Sequence, residues 1–270
     1  MPAAWELVNP NRNPNQTQIP PTDTVVGKPT VVGQISPTQT VDAQQANRLL
    51  AVLIPHTGSM SSEWALMLRE MPLPQGSQVF MSRGMPIDVT RDSMVKTVLD
   101  LGFEWIFFLD SDVILPKDAL QNLISHNLPL VSGLYKAKKP NGFFWAAWMK
   151  GKTPEGKEAF VPIASWTDRL FQVDVIGCGC MLINRKVFEG IRAKTDLPFF
   201  LWSKDRDPQL LKKLNIPSTL MPVMGEISED FWFCLLAHHC GFPVVADGNV
   251  LCGHLATVKI TDKTVTLPGV

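Results

Sequence analysis

Five short apolar runs constrain this chain most: "LLAVLIP" (49–55), "SQVFMSRG" (77–84), "EWIFFLD" (104–110), "PLVSGLY" (129–135) and "PVVAD" (243–247). All are far below the roughly 20 apolar residues of a membrane helix, so no membrane span is expected. Runs of this length, bounded by turn residues, read as strands buried on both faces. The segments between them change period. "SSEWALMLREM" (61–71) places Trp64, Leu66, Met67 and Met71 at helical spacing behind a Ser61 or Ser62 cap. "TRDSMVKTVLDLG" (90–102) predicts a helix capped by Thr90, striped by Met94, Val95, Val98 and Leu99, and stopped at Gly102. "PKDALQNLISHN" (116–127) predicts another. Strand and helix in alternation predict an α/β fold, with a Rossmann-like, mostly parallel central sheet flanked by helices.

After Tyr135 the rhythm breaks. "KAKKPNGFFWAAWMKGKTPEGKEAFVPIASW" is rich in turns and aromatics and predicts a small antiparallel extension or a surface excursion. "RLFQVDVIGCGCMLINRKVFEGI" then returns to strand and helix, and "DPQLLKKL" (207–214) predicts a short helix in a long connection. "SEDFWFCLLAHHCGF" predicts a helix capped by Ser228 and closed by Gly241. Residues 1–46, rich in Pro, Asn, Gln and Thr, read as a flexible arm. Residues 47–257 read as one folded domain, and 258–270 as a polar tail.

With 25 basic and 25 acidic residues, no net field recruits nucleic acid or an anionic membrane, although nucleic acid stays open as a reaction partner. The start, "MPAAWELVNPNRNPNQTQ", lacks the basic and apolar regions of a secretory signal. Five cysteines make a poor disulfide framework and fit a reducing, cytoplasmic compartment. Cys178, Cys180, Cys252 and His254 are a candidate zinc set in no standard spacing, and buried cysteine as a small core residue is the commoner use.

The chemistry concentrates where "WIFFLDSDVILP" (105–116) leaves its strand. Ligands of open α/β sheets sit outside the carboxyl ends of the strands, so Asp110 and Asp112 stand where a ligand is expected. Two readings fit the pair. Hard oxygen donors one residue apart suit Mg²⁺ or Mn²⁺, while acids beside the turn into "PKDAL" also suit a helix start.

Apolar strand, "LDSD", then a Pro-bearing helix start resembles the D-x-D element of GT-A glycosyltransferases, of the soluble, non-processive, family-2-like kind. Three more stretches follow in that family's order: "TRDSMVKTVLDLGFEW", "VDVIGCGCMLINRKVFE" and "GEISEDFWFCLLAHHCGFPVVADGNVLCGH". Together they span residues 50–255. The resemblance implies a nucleotide-diphosphate sugar as donor, Mn²⁺ or Mg²⁺ as cofactor, and a saccharide or other hydroxyl as acceptor. It implies Asp112 and His254 as metal ligands, with Asp110 on the metal through water or on the ribose, beside Ser111. Asp230 becomes the general base of an inverting transfer, with Glu229 orienting the site. Pro55, His56 and Thr57 fall where the family holds base and ribose. Arg91 and Asp92 fall near the diphosphate, Lys136 along the phosphate cleft, and Gly177 where an acceptor passes close to the backbone. Trp145, Trp148 and Trp232 read as sugar-stacking rings or as core. The Q-x-x-R-W motif of processive synthases is absent. Two other functions compete: a sugar-nucleotide-forming nucleotidyltransferase, whose Gly-rich basic loop is missing from "LLAVLIPHTGSMSSEW", and a binding module without turnover.

Overall fold

The computed structural model describes residues 30–31, 48–84, 86–139, 142–202, 212, 214 and 227–256. Both expected domain boundaries, near 46 and 257, lie outside them, as does the helix expected over 207–214 apart from Lys212 and Leu214. Strands β1 (Thr30–Val31), β2 (Leu50–His56), β3 (Ser77–Arg83), β4 (Trp105–Leu109), β6 (Leu130–Leu134), β11 (Leu170–Val173), β13 (Cys180–Asn184) and β14 (Val244–Leu251) form the central sheet. Its order is β1-β3-β2-β4-β13-β6-β14-β11. Strands β2, β3, β4, β6 and β14 run one way; β1, β11 and β13 oppose them. The sheet is thus mixed but mostly parallel in direction, as expected.

Alternation along the strands builds two cores. Ala51 and Leu53 of β2, with Ile106 and Phe108 of β4, enter one layer. Leu50, Val52, Ile54, Phe107 and Leu109 enter the other. Helices cover both faces: α2 (Ile87–Asp100), α4 (Arg185–Lys194) and α5 (Glu229–His239) close the first layer, α1 (Ser62–Glu70) and α3 (Ala119–Ser125) the second. Each fully buried side chain of this kind stabilises the fold by about 1.5–3 kcal/mol.

Three small antiparallel sheets complete the fold. Strands β9 (Ala147–Lys152), β10 (Glu158–Pro162) and β12 (Val175–Ile176) form one, in the expected antiparallel extension. The hairpin β7 (Lys136–Lys139) and β8 (Gly142–Trp145) forms the second, and β5 (Val113–Ile114) with β15 (Gly253–His254) the third.

Ser61 and Ser228 cap α1 and α5 as expected, their hydroxyls accepting from the N–H groups of Trp64 and Phe231. Thr90 does not cap α2. That helix starts at Ile87 behind Pro86, and the Thr90 hydroxyl instead donates to the Pro86 carbonyl. A proline pre-set at φ near −65° opens the helix without any side-chain cap. Leu66 is 49% exposed, so α1 buries Trp64 rather than the whole expected stripe. The acid pair of "LDSD" is not a helix cap either, because α3 begins only at Ala119.

Candidate active site

The carboxyl ends of the parallel strands define one edge, and the side chains that end them meet there. Asp110 follows β4 directly. Its backbone N–H donates to the Gly179 carbonyl at 3.1 Å, and its carbonyl accepts from the Trp64 indole at 2.9 Å. The first acid is therefore fixed through its own backbone. Two residues on, the short pairing of β5 with β15 sets Val113 opposite His254, and the Leu255 N–H donates to the Asp112 carbonyl at 2.7 Å. This register joins residues 142 positions apart: His254 Nε2 stands 3.3 Å from Asp112 Oδ2. The other ring nitrogen, Nδ1, stands 2.8 Å from the Lys136 carbonyl, which can only accept. Nδ1 therefore carries the proton, and Nε2 presents a lone pair or a second proton to the carboxylate. The Asp112 hydrogen bond leads the causes that raise the His254 pKa, with burial opposing it.

A second cluster adjoins the first. The Arg91 side chain, 3% exposed, reaches from α2 to three carboxylates. One terminal nitrogen bonds both oxygens of Asp110, at 2.7 and 3.0 Å. The other bonds Asp230 and stands 3.6 Å from Glu229. The guanidinium also lies 5.5 Å from the centre of the Phe108 ring. Glu229 and Asp230 open α5, where the helix dipole favours negative charge. Burial nevertheless dominates at Glu229. Together with the adjacent Asp230 charge it lifts the pKa to about 7, against the pull of Arg91. Burial likewise raises Asp110, with Arg91 opposing and the Asp230 and Asp112 charges adding to the rise. Three acids thus share one buried guanidinium, and with Asp112 beside them the edge is rich in carboxylates.

Tyr135, the single tyrosine of the chain, braces the floor of this region. Its buried hydroxyl accepts from the Gly179 N–H at 3.2 Å. A Cβ on Gly177 would fall 2.0 Å from that hydroxyl; one on Gly179 would fall 3.1 Å from Asp110 Oδ2. Both glycines therefore make room for Tyr135 and Asp110. Burial pushes the Cys178 thiol up, and the Asp230 charge beside it adds to the shift.

Other expected residues take different positions. Asp92 accepts from the Phe199 N–H at 2.8 Å and pairs with Lys96, tying α2 to the segment before 203. Lys136 contributes its carbonyl, while its ammonium lies 5.1 Å from the centre of the Trp145 ring. Pro55 and His56 end β2, Thr57 follows exposed, and Ser111 lies between the two acids. Trp232 is core, its indole donating to the Pro198 carbonyl at 2.9 Å. Cys178 contacts Met181 sulfur to sulfur at 3.9 Å, while the His254 nitrogens face Lys136 and Asp112. Among the described residues no group of three or more His, Cys, Asp and Glu side chains forms a metal cage. The sequence reading gave Tyr135 no site role, placed Trp64 only in a helix stripe, and missed Arg91 as the tie between acids. For Tyr135 the signal was its position just past a strand, beside two glycine-bearing stretches.

Among the described residues no helix is long and apolar enough to cross a membrane. No protein-family model and no curated protein matches the chain. Several solved structures are similar to it. The crystal structure of A197 from STIV has a TM-score of 0.49 at 18% identity, over 77% of this chain and 86% of that one. The structure of GalNAc-T7 with UDP, GalNAc and Mn²⁺ has a TM-score of 0.48 at 12% identity, over 78% of this chain and 44% of that one. S. aureus TarS has a TM-score of 0.44 at 12% identity, over 77% of this chain and 37% of that one.

Proposed function

We propose that this chain is a glycosyltransferase of the GT-A type. In this reading it moves a sugar from a nucleotide-diphosphate donor to an acceptor hydroxyl, inverts the anomeric centre, and depends on a divalent cation. The observation that carries the reading is the approach of His254 Nε2 to Asp112 Oδ2 at 3.3 Å, beside an acid-rich strand edge. Two donors each about 2.1 Å from one ion and at right angles stand roughly 3 Å apart, so the pair fits two adjacent positions on Mg²⁺ or Mn²⁺. The Lys136 carbonyl supports the fit, since it holds the Nδ1 proton and leaves Nε2 as the ligand. With only two protein donors, such a site suits an ion that also takes water and substrate phosphate. A divalent ion held there would neutralise the departing diphosphate.

The remaining work falls to the chain. Asp230, its side chain 22% exposed and bonded to Arg91, is the base that takes the acceptor proton as the hydroxyl attacks. Arg91 fixes that base relative to Asp110, and so to the donor-side edge. Asp110, half-buried, is left to the ribose side or to a water of the ion. Glu229 orients the cluster.

A thermal-shift series with nucleoside diphosphates, with and without Mn²⁺, tests the reading. It should show stabilisation that needs both components. Asp112→Asn should lose the Mn²⁺-dependent part. Asp230→Asn should keep it while losing hydrolysis and transfer of the matching sugar nucleotide. Wild-type turnover by Asp230→Asn would refute the base, and binding without any turnover by the wild type would leave a binding module.

A further inference from the structure

A pair of basic side chains lies on the same edge, away from the acids. His56 and Arg83 are the last residues of β2 and β3, and they are partners in the parallel register. The last β2–β4 pair is Leu53 with Phe108, so Asp110 and Pro55 each lie two residues beyond it. The pair is thus level with the acid cluster, one and two strand spacings to the side, or about 5–10 Å. That is on the order of the reach from a diphosphate to its nucleobase. The Arg83 guanidinium lies against the β2–α1 loop. A Cβ on Gly58 would fall 3.0 Å from its Nε and 3.1 Å from its Cζ, and Gly58 itself has a φ of +124°. The glycine therefore both makes the turn and clears the space the guanidinium occupies. Among the described residues no carboxylate pairs with Arg83, and His56 Nδ1 is buried without a hydrogen-bond partner. Burial, then the Arg83 charge, lowers the His56 pKa, so the ring is neutral and Arg83 supplies the charge.

We propose that Arg83, with His56 beside it, reads the nucleobase of the donor, selecting bases that present two adjacent acceptors. Guanine does so through O6 and N7, and cytosine through O2 and N3. The guanidinium fork donates to both atoms at once. Uracil and adenine each set a donor beside an acceptor, and the fork meets one of them with like polarity. This deepens the glycosyltransferase reading and rests on it: the donors are guanosine- or cytidine-diphosphate sugars rather than uridine or adenosine ones.

Calorimetric titration of the full chain with GDP, CDP, UDP, ADP and pyrophosphate, each with Mn²⁺, tests it. A good bidentate pair discriminates about tenfold or more between right and wrong bases, so GDP or CDP should bind at least about tenfold tighter than UDP and ADP. Arg83→Ala should erase that preference and leave pyrophosphate affinity unchanged. Arg83→Lys, which keeps the charge and loses the fork, should erase it equally. The GDP and CDP arms separate the two bases. UDP or ADP binding as tightly as both would overturn the proposal while leaving the glycosyltransferase reading intact. An Arg83→Ala loss that falls equally on pyrophosphate would make the pair an anion site and also overturn it. No Mn²⁺-dependent binding of any nucleotide would overturn both.

Discussion

Replacing Glu229 with Gln isolates the charge that the acid cluster accommodates least well. Burial raises the Glu229 pKa from 4.5 to about 7, helped by Asp230 and opposed by Arg91. The folded protein therefore binds this proton more tightly than the unfolded chain does. The stability that Glu229 contributes is complete below its unfolded value and is lost as pH rises through about 7. At about 1.4 kcal/mol per pH unit, the interval from 4.5 to about 7 amounts to about 3 kcal/mol. Glutamine keeps the shape and never ionises. Glu229→Gln should match the wild type near pH 4.5 and exceed it by up to about 3 kcal/mol near pH 8. Urea unfolding followed by tryptophan fluorescence across that range measures the difference directly. Its growth with pH is the diagnostic feature. A variant less stable than the wild type near pH 8 would refute the reasoning, because the 3.6 Å contact with Arg91 would then outweigh desolvation. A difference independent of pH would refute it too, since only a titrating group produces the slope.

Three further outcomes follow from other contacts. Asp112→Asn should move the His254 titration, followed by the imidazole proton resonances, down toward the ordinary value, because the Asp112 hydrogen bond is the leading cause of its rise. Asp247, fully buried in β14, is bonded by His126 at 2.7 Å and by Arg169 at 3.2 Å. Burial raises it, but the bonds from His126, the Asn249 N–H and Arg169 bring it below the usual range. Its contribution is therefore present above the unfolded pKa and lost as pH falls through the lowered one. Asp247→Ala should cost about 1–3 kcal/mol in denaturant unfolding at neutral pH, because it leaves the part-buried His126 and Asn249 donors unpaired while the half-exposed Arg169 returns to water. Tyr135→Phe should cost about 1–3 kcal/mol by leaving the buried Gly179 N–H unpaired, and an unchanged unfolding midpoint would refute that bond.

What the sequence disclosed and what it hid divide along the range of the interactions. The strand β4 is legible because every residue of "WIFFL" must be apolar when helices cover both faces. The Ser61 and Ser228 caps are legible because a cap acts within three residues. The antiparallel insertion of β13 between β4 and β6 is not. A strand buried on both sides has the same composition whichever way it runs, and only its hydrogen-bond partners record its direction. The carboxylate pair was visible as two acids leaving a strand, but its partners lie far off in sequence. Arg91 reaches Asp230 across 139 positions and His254 reaches Asp112 across 142. Nothing local obliges an arginine in a helix's first turns to be buried. Once the fold brings three carboxylates around it, burial becomes tolerable for all four side chains together and for none of them singly. The same reasoning explains Gly177. Its neighbours in sequence do not require a glycine there, whereas Tyr135, 42 positions earlier, would stand 2.0 Å from any Cβ. The site is thus a property of the tertiary register. A single residue inserted between His254 and the end of β14 would turn the histidine away from Asp112 and dissolve the pairing on which the proposed ion depends.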